Sequence, residues 1–170
     1  MDGAKAALVL FLAALLQLAV LTQYSQFRTA SVVLVALLSI ALLRGSVFGA
    51  IAGFGTGLLL DVATLGTLGV TSLLLTVFGF WIGRYGETTA RDRFHAPFLS
   101  VAVVTVLYAF GLVALQFVLG QPAPAGVVAR TLPFAVLLNV VLTVPVYALI
   151  RRLFPPLELG DRVREVRLLG

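Results

Sequence analysis

The sequence predicts an all-α integral membrane protein, a compact bundle of six transmembrane helices with both termini in the cytoplasm. Three observations carry that reading. The chain has 170 residues, 61% hydrophobic and only 11% charged, whereas a soluble domain runs near half apolar and about a quarter charged. Six apolar runs are separated by short polar or glycine-containing breaks. The basic residues fall almost entirely on one side of those runs.

The first run extends from Ala6 to about Thr22, after Lys5. It has the character of a signal-peptide core, but no small-x-small cleavage pattern follows, so it is read as a retained span. The second covers about Ser31 to Leu43 and the third about Ser46 to Leu60, divided by Arg44 and Gly45. The fourth runs from about Gly69 to Gly83 and is closed by Arg84 and Tyr85. The fifth starts at Pro97, a residue favoured in a first helical turn, and ends near Leu119. The sixth covers about Leu132 to Leu153 and is closed by Arg151 and Arg152.

Spans two to four are short. Fifteen helical residues rise about 22 Å, against a hydrocarbon core of about 30 Å. Either their ends reach into the flanks, or part of Asp61 to Gly69 dips into the membrane, where irregular backbone survives only if buried in protein or lining a wet cavity. Residues 1–154 form the transmembrane domain. Residues 155–170 are a short cytoplasmic tail whose alternating charges and leucines suit an interfacial helix.

With the N-terminus inside, ten basic residues lie on the cytoplasmic side and two, Arg28 and Arg130, on the outer side. Cytoplasmic loops carry such an excess. The formal charge of +5 therefore needs no nucleic acid. Arg84, Arg91, Arg93, Arg151 and Arg152 make up a basic inner face.

The most informative stretch is glycine-rich. Gly45, Gly49, Gly53 and Gly57 recur every four residues, a nearly straight ridge without side chains on a helix. Ala52 and Gly55 are read as widening it. Gly79 and Gly83 repeat the device in span four. Helix association in lipid relies on close approach, which small residues permit. The ridges serve either packing within the bundle or reception of a helix from another protein.

Asp61 is the acid within this stretch. A charge within a span is costly, so it needs a role. Three are open: a cap accepting from the Ala63 or Thr64 amides, an ion pair with Arg28 or Arg130, or a proton or ion site. A cap implies that Asn would serve nearly as well. With Gly66 and Gly69, Asp61 would fix the outer end of span three. Gln17, Ser39, Thr105, Gln116, Asn139 and Thr143 are expected to bond across helices or to backbone, and Pro145 to kink span six.

Catalytic chemistry is not visible. There is no cysteine, which removes thiol catalysis and disulfides, and the single histidine, His95, falls in an inner loop. No HExxH, P-loop or pair of carboxylates within a span occurs. No cofactor and no metal are implied.

The stretch "LLRGSVFGAIAGFGTGLLLDVATLGTLGVTSLLLTVFGFWIGRYG" (residues 42–86) resembles the MreD family of rod shape-determining proteins. The matching features are Arg44 with Gly45, the Gly-rich span through Gly53, Gly57 to Asp61, Leu68 with Gly69, and the closing Arg84. The resemblance implies a multi-pass protein of the bacterial inner membrane and a non-catalytic scaffold of the cell-elongation machinery. It would bind MreC and help position peptidoglycan synthases. RodA, its penicillin-binding transpeptidase and MreB filaments would be more distant associates. The resemblance also implies a fold similar to the substrate-binding subunits of energy-coupling-factor transporters, which makes a vitamin-uptake subunit the competing function. Against it, the first span has no A-x-x-x-A docking pair, and the outer loops are short and poor in polar groups.

Overall fold

The computed structural model describes residues 2–17, 31–65, 67–90, 96–121 and 125–154. Six helices follow one another: α1 (Asp2–Leu16), α2 (Val32–Arg44), α3 (Ser46–Ala63), α4 (Val70–Tyr85), α5 (Ala96–Val118) and α6 (Ala125–Leu153). A one-turn π-helix, Gly86–Ala90, continues from α4. No strand occurs among the described residues. Helices α3, α5 (from Pro97) and α6 are long and apolar enough to cross a membrane, whereas α1 and α2 are shorter apolar helices. Two boundaries differ clearly from expectation. The first helix begins at Asp2 instead of Ala6, and the last begins at Ala125, seven residues before Leu132. The tail 155–170 lies outside the described residues.

Helix α2 is the axis of the bundle. Every residue from Val33 to Leu43 is buried, and α2 touches each of the other five helices. Its sequence, VVLVALLSIALL, is apolar on all sides, which suits a helix surrounded by others. Ser39, its one polar residue within that run, donates to the Val35 carbonyl at 2.7 Å. That bond keeps the hydroxyl satisfied away from water.

The start of α2 is held by side chains from three places. Ser31 caps it, accepting from the Leu34 amide at 3.1 Å. Gln17 Oε1 accepts from the Val33 amide at 3.1 Å, and Asn139 Oδ1 accepts from the Ser31 amide at 2.9 Å. Helix starts leave amides without internal partners, and here three are answered within the protein. At the other end, the Arg44 guanidinium stacks over the fully buried Phe154 ring, 5.2 Å from its centroid. This contact ties the end of α2 to the segment that follows α6.

Only Gly45 separates α2 from α3. Its φ of 98° lies in the region that residues with a Cβ avoid. The chain thus reverses on a single residue, and α3 then returns beside α2.

Candidate functional site

Helices α3 and α4 share the most extensive helix–helix interface in the bundle, and glycine makes it possible. A Cβ built on Gly49 would strike the Gly79 carbonyl, and one on Gly79 would strike the Gly49 carbonyl. A Cβ on Gly53 would meet the backbone of Leu75, and one on Gly57 the backbone of Ser72. One on Gly83 would meet Gly45 and Ser46, and one on Gly86 would meet Leu42. These neighbours are backbone atoms, so no change of rotamer relieves the clash. The structure therefore brings Gly45, Gly49, Gly53 and Gly57 against α4, with Gly79 and Gly83 as their counterparts.

Gly55 is placed differently from expectation. It does not widen this ridge: α4 covers the ridge, while Gly55 is exposed and nothing lies within 4 Å of a Cβ built on it. Two residues further along a helix turns the side chain about 200° round the axis. Gly55 and Ala52 instead line a lateral groove of about 730 Å³ between α1 and α3. Ala4 and Ala7 line it from the α1 side.

The turn between α3 and α4 is closed by Asp61, which is 2% exposed. Its Oδ2 accepts from the Gly69 amide at 2.8 Å and the Ser72 amide at 3.3 Å, and Oδ1 accepts from the Thr71 amide at 3.2 Å. Asp61 therefore caps the start of α4 from the end of α3. The donors expected for it are elsewhere: the Thr64 amide bonds the Leu60 carbonyl, and Ala63 is still helical. A carboxylate near a helix start is also favoured by the helix dipole. Gly69, with φ of 96°, precedes α4 in a left-handed conformation. Ser72 adds a bond from its hydroxyl to the Phe54 carbonyl at 2.9 Å. Among the described residues Asp61 makes no ion pair, so Arg130 is not its partner. Arg28 and Gly66 lie outside the described residues.

The opposite end of the hairpin has a matching device that sequence reasoning missed. Glu87 Oε1 accepts from the Ser46 amide at 2.8 Å and the Ser46 hydroxyl at 3.0 Å, and Oε2 lies 3.2 Å from the same hydroxyl. Glu87 thus caps α3 from the end of α4, as Asp61 caps α4 from the end of α3. The only hint in the sequence is an acid following a span closed by Arg84 and Gly86.

Of the expected basic face, Arg84, Arg151 and Arg152 are exposed at the C-terminal ends of α4 and α6. Arg84 lies 3.7 Å from Glu87, an exposed pair of the kind worth about 0–1 kcal/mol. Arg91, Arg93 and His95 lie outside the described residues.

A glycine-faced helical hairpin packed on a buried, mostly apolar central helix defines a membrane protein built on close helix contact. The chain belongs to the MreD family: the family profile, described as rod shape-determining protein MreD, matches residues 5–153. Its role accordingly lies in bacterial rod-shape determination. No curated protein and no solved structure matches the chain, so the expected likeness to energy-coupling-factor subunits has no structural match behind it.

Proposed function

We propose that the chain is a non-catalytic scaffold that passes several times through the bacterial inner membrane, with both termini in the cytoplasm. It binds the single membrane helix of MreC and, through the periplasmic part of MreC, helps position RodA and its transpeptidase. One observation carries the reading. The two faces of α3 differ: the Gly53 face is filled by α4, and the Gly55 face is open along the groove shared with α1. In lipid, small residues such as Gly55, Ala52, Ala4 and Ala7 in that groove let a partner backbone approach closely. The exposed arginines at the inner end favour anionic lipid and face the side where MreB filaments lie.

Co-purification with MreC tests this. Gly55→Leu should lose most of the MreC while keeping the thermal midpoint, because a Cβ at this position has no atom of the fold within 4 Å. A control, Leu137→Phe on the exposed face of α6, should retain MreC. Normal recovery of MreC with Gly55→Leu would refute the groove. The competing uptake-subunit reading predicts a retained vitamin-like ligand and no MreC in the same preparation.

A further inference from the structure

The helices differ in length in a way that opens a second cavity. Helix α2 has 13 residues and rises about 20 Å. It begins level with Asn139, to which Ser31 is bonded. Helix α6 continues outward from Asn139 for fourteen more residues, to Ala125, about 21 Å. Helix α5 likewise continues from Thr105, which bonds Asn139 Nδ2 at 3.1 Å. Among the described residues, therefore, no central helix stands between α5 and α6 beyond the start of α2. A cavity of about 360 Å³ occupies that place, at the small end of the roughly 300–1,000 Å³ usual for ligand pockets.

Its chemistry is graded. The floor is polar: Gln17, Ser31, Thr105 and Asn139 line it. These groups largely satisfy one another and the first amides of α2, so nothing there calls for an anion. The walls are mostly apolar, with Leu60, Leu75 and Leu112 among them beside Tyr108 and Thr131. Toward the outer end of α5, Gln116 lines the cavity, and its side-chain amide has no hydrogen bond among the described residues. No Asp, Glu, Lys, Arg or His is among the described lining residues. A buried charge without a partner is strongly disfavoured.

We propose that this outer cavity binds one uncharged amphiphile, its apolar body against the leucine walls and a hydroxyl or amide head bonded to Gln116. The site is separate from the α1–α3 groove and does not rest on MreC binding. Two sources share this chemistry: a neutral membrane lipid and a small neutral solute.

The test uses the full chain in vesicles of phosphatidylethanolamine and phosphatidylglycerol. The probe is a monoacylglycerol with a diazirine in its acyl chain, read by mass spectrometry of labelled peptides. Saturable labelling around Leu112 and Ala135 is expected. Ala109→Phe, which fills the cavity from α5, should lower it about tenfold, equivalent to about 1.4 kcal/mol. Gln116→Leu changes little volume and should weaken labelling in the same direction, so it decides the matter if Ala109→Phe does not fold. The lysophosphatidic acid counterpart, charged at its head, should not saturate. Competition by nicotinamide added outside supports the site with an aqueous source, and saturable labelling that nicotinamide leaves unchanged supports it with a membrane source. Labelling that is indifferent to Gln116→Leu, or equally strong with the charged probe, would overturn the proposal.

Discussion

The α3–α4 hairpin and the α5–α6 pair solve the same packing problem in opposite ways. In the hairpin, backbone meets backbone: Gly49 and Gly79 each occupy the place of the other's missing Cβ. Acids pin both ends, Asp61 on the start of α4 and Glu87 on the start of α3. In the α5–α6 pair, bulky residues such as Phe110, Phe117, Leu137 and Val141 remain exposed. The pair meets through side chains and leaves a cavity between the C-terminal half of α5 and the N-terminal half of α6. The first region tolerates almost no added volume; the second should accept it readily.

The largest expected effect therefore comes from Gly53→Leu or Gly57→Leu. Overpacking a core costs about 1–3 kcal/mol and occasionally more, and here the obstacle is backbone. Folded protein recovered in detergent should fall sharply, with a loss at or above about 3 kcal/mol. Leu59→Ala on the same helix should cost clearly less, because Leu59 is half-buried beside the α1–α3 groove. Equal recovery of the two variants would remove the distinction between the faces of α3.

Next in size is Asp61→Asn. Both carboxylate oxygens are in use, on three amides. Asn offers one oxygen and turns an N–H₂ toward donors. A buried donor left unmatched costs about 1–3 kcal/mol, so the thermal midpoint should fall measurably. A silent Asp61→Asn would mean that the cap contributes little.

Glu87→Ala should come third. It removes a cap from α3, which is worth about 0.5–2 kcal/mol, from a site that is partly exposed. Hydrogen exchange should quicken at Ser46 and the first turn of α3, while the Gly69–Ser72 end stays protected. The smallest effect is expected from Leu137→Ala, whose exposed side chain exchanges protein surface for lipid. Its thermal midpoint should be close to that of the parent chain.

These two regions were unequally legible in the sequence. The hairpin announced itself, because glycines every four residues have few other uses in an apolar span. What the spacing did not tell was which face is filled: Gly55 looked like part of the ridge until the helical register put it on the opposite side. The position of α2 was hidden for a different reason. A helix apolar on all sides suits either lipid or a protein interior, so VVLVALLSIALL carries no mark of its central place. A cap is one of three roles the sequence leaves open for Asp61, but its donors lie eight to eleven residues onward, across a turn whose path local reasoning does not fix. Glu87 is forty-one residues from Ser46, and no local pattern links them. The cavity depends on the difference in reach between α2 and α6, which becomes visible only when the helices are stacked.

The central claim is that α3 has one face for its own bundle and one for a partner. In-cell disulfide crosslinking tests it most directly, since the chain contains no cysteine. Single cysteines replace Ile51 or Gly55 on the groove side and Leu137 on α6, each paired with a cysteine scanned along the MreC membrane helix. The account predicts oxidative crosslinks at positions 51 and 55, with a helical period along MreC, and none above background at position 137. Crosslinks at position 137 with none at positions 51 and 55 would contradict it.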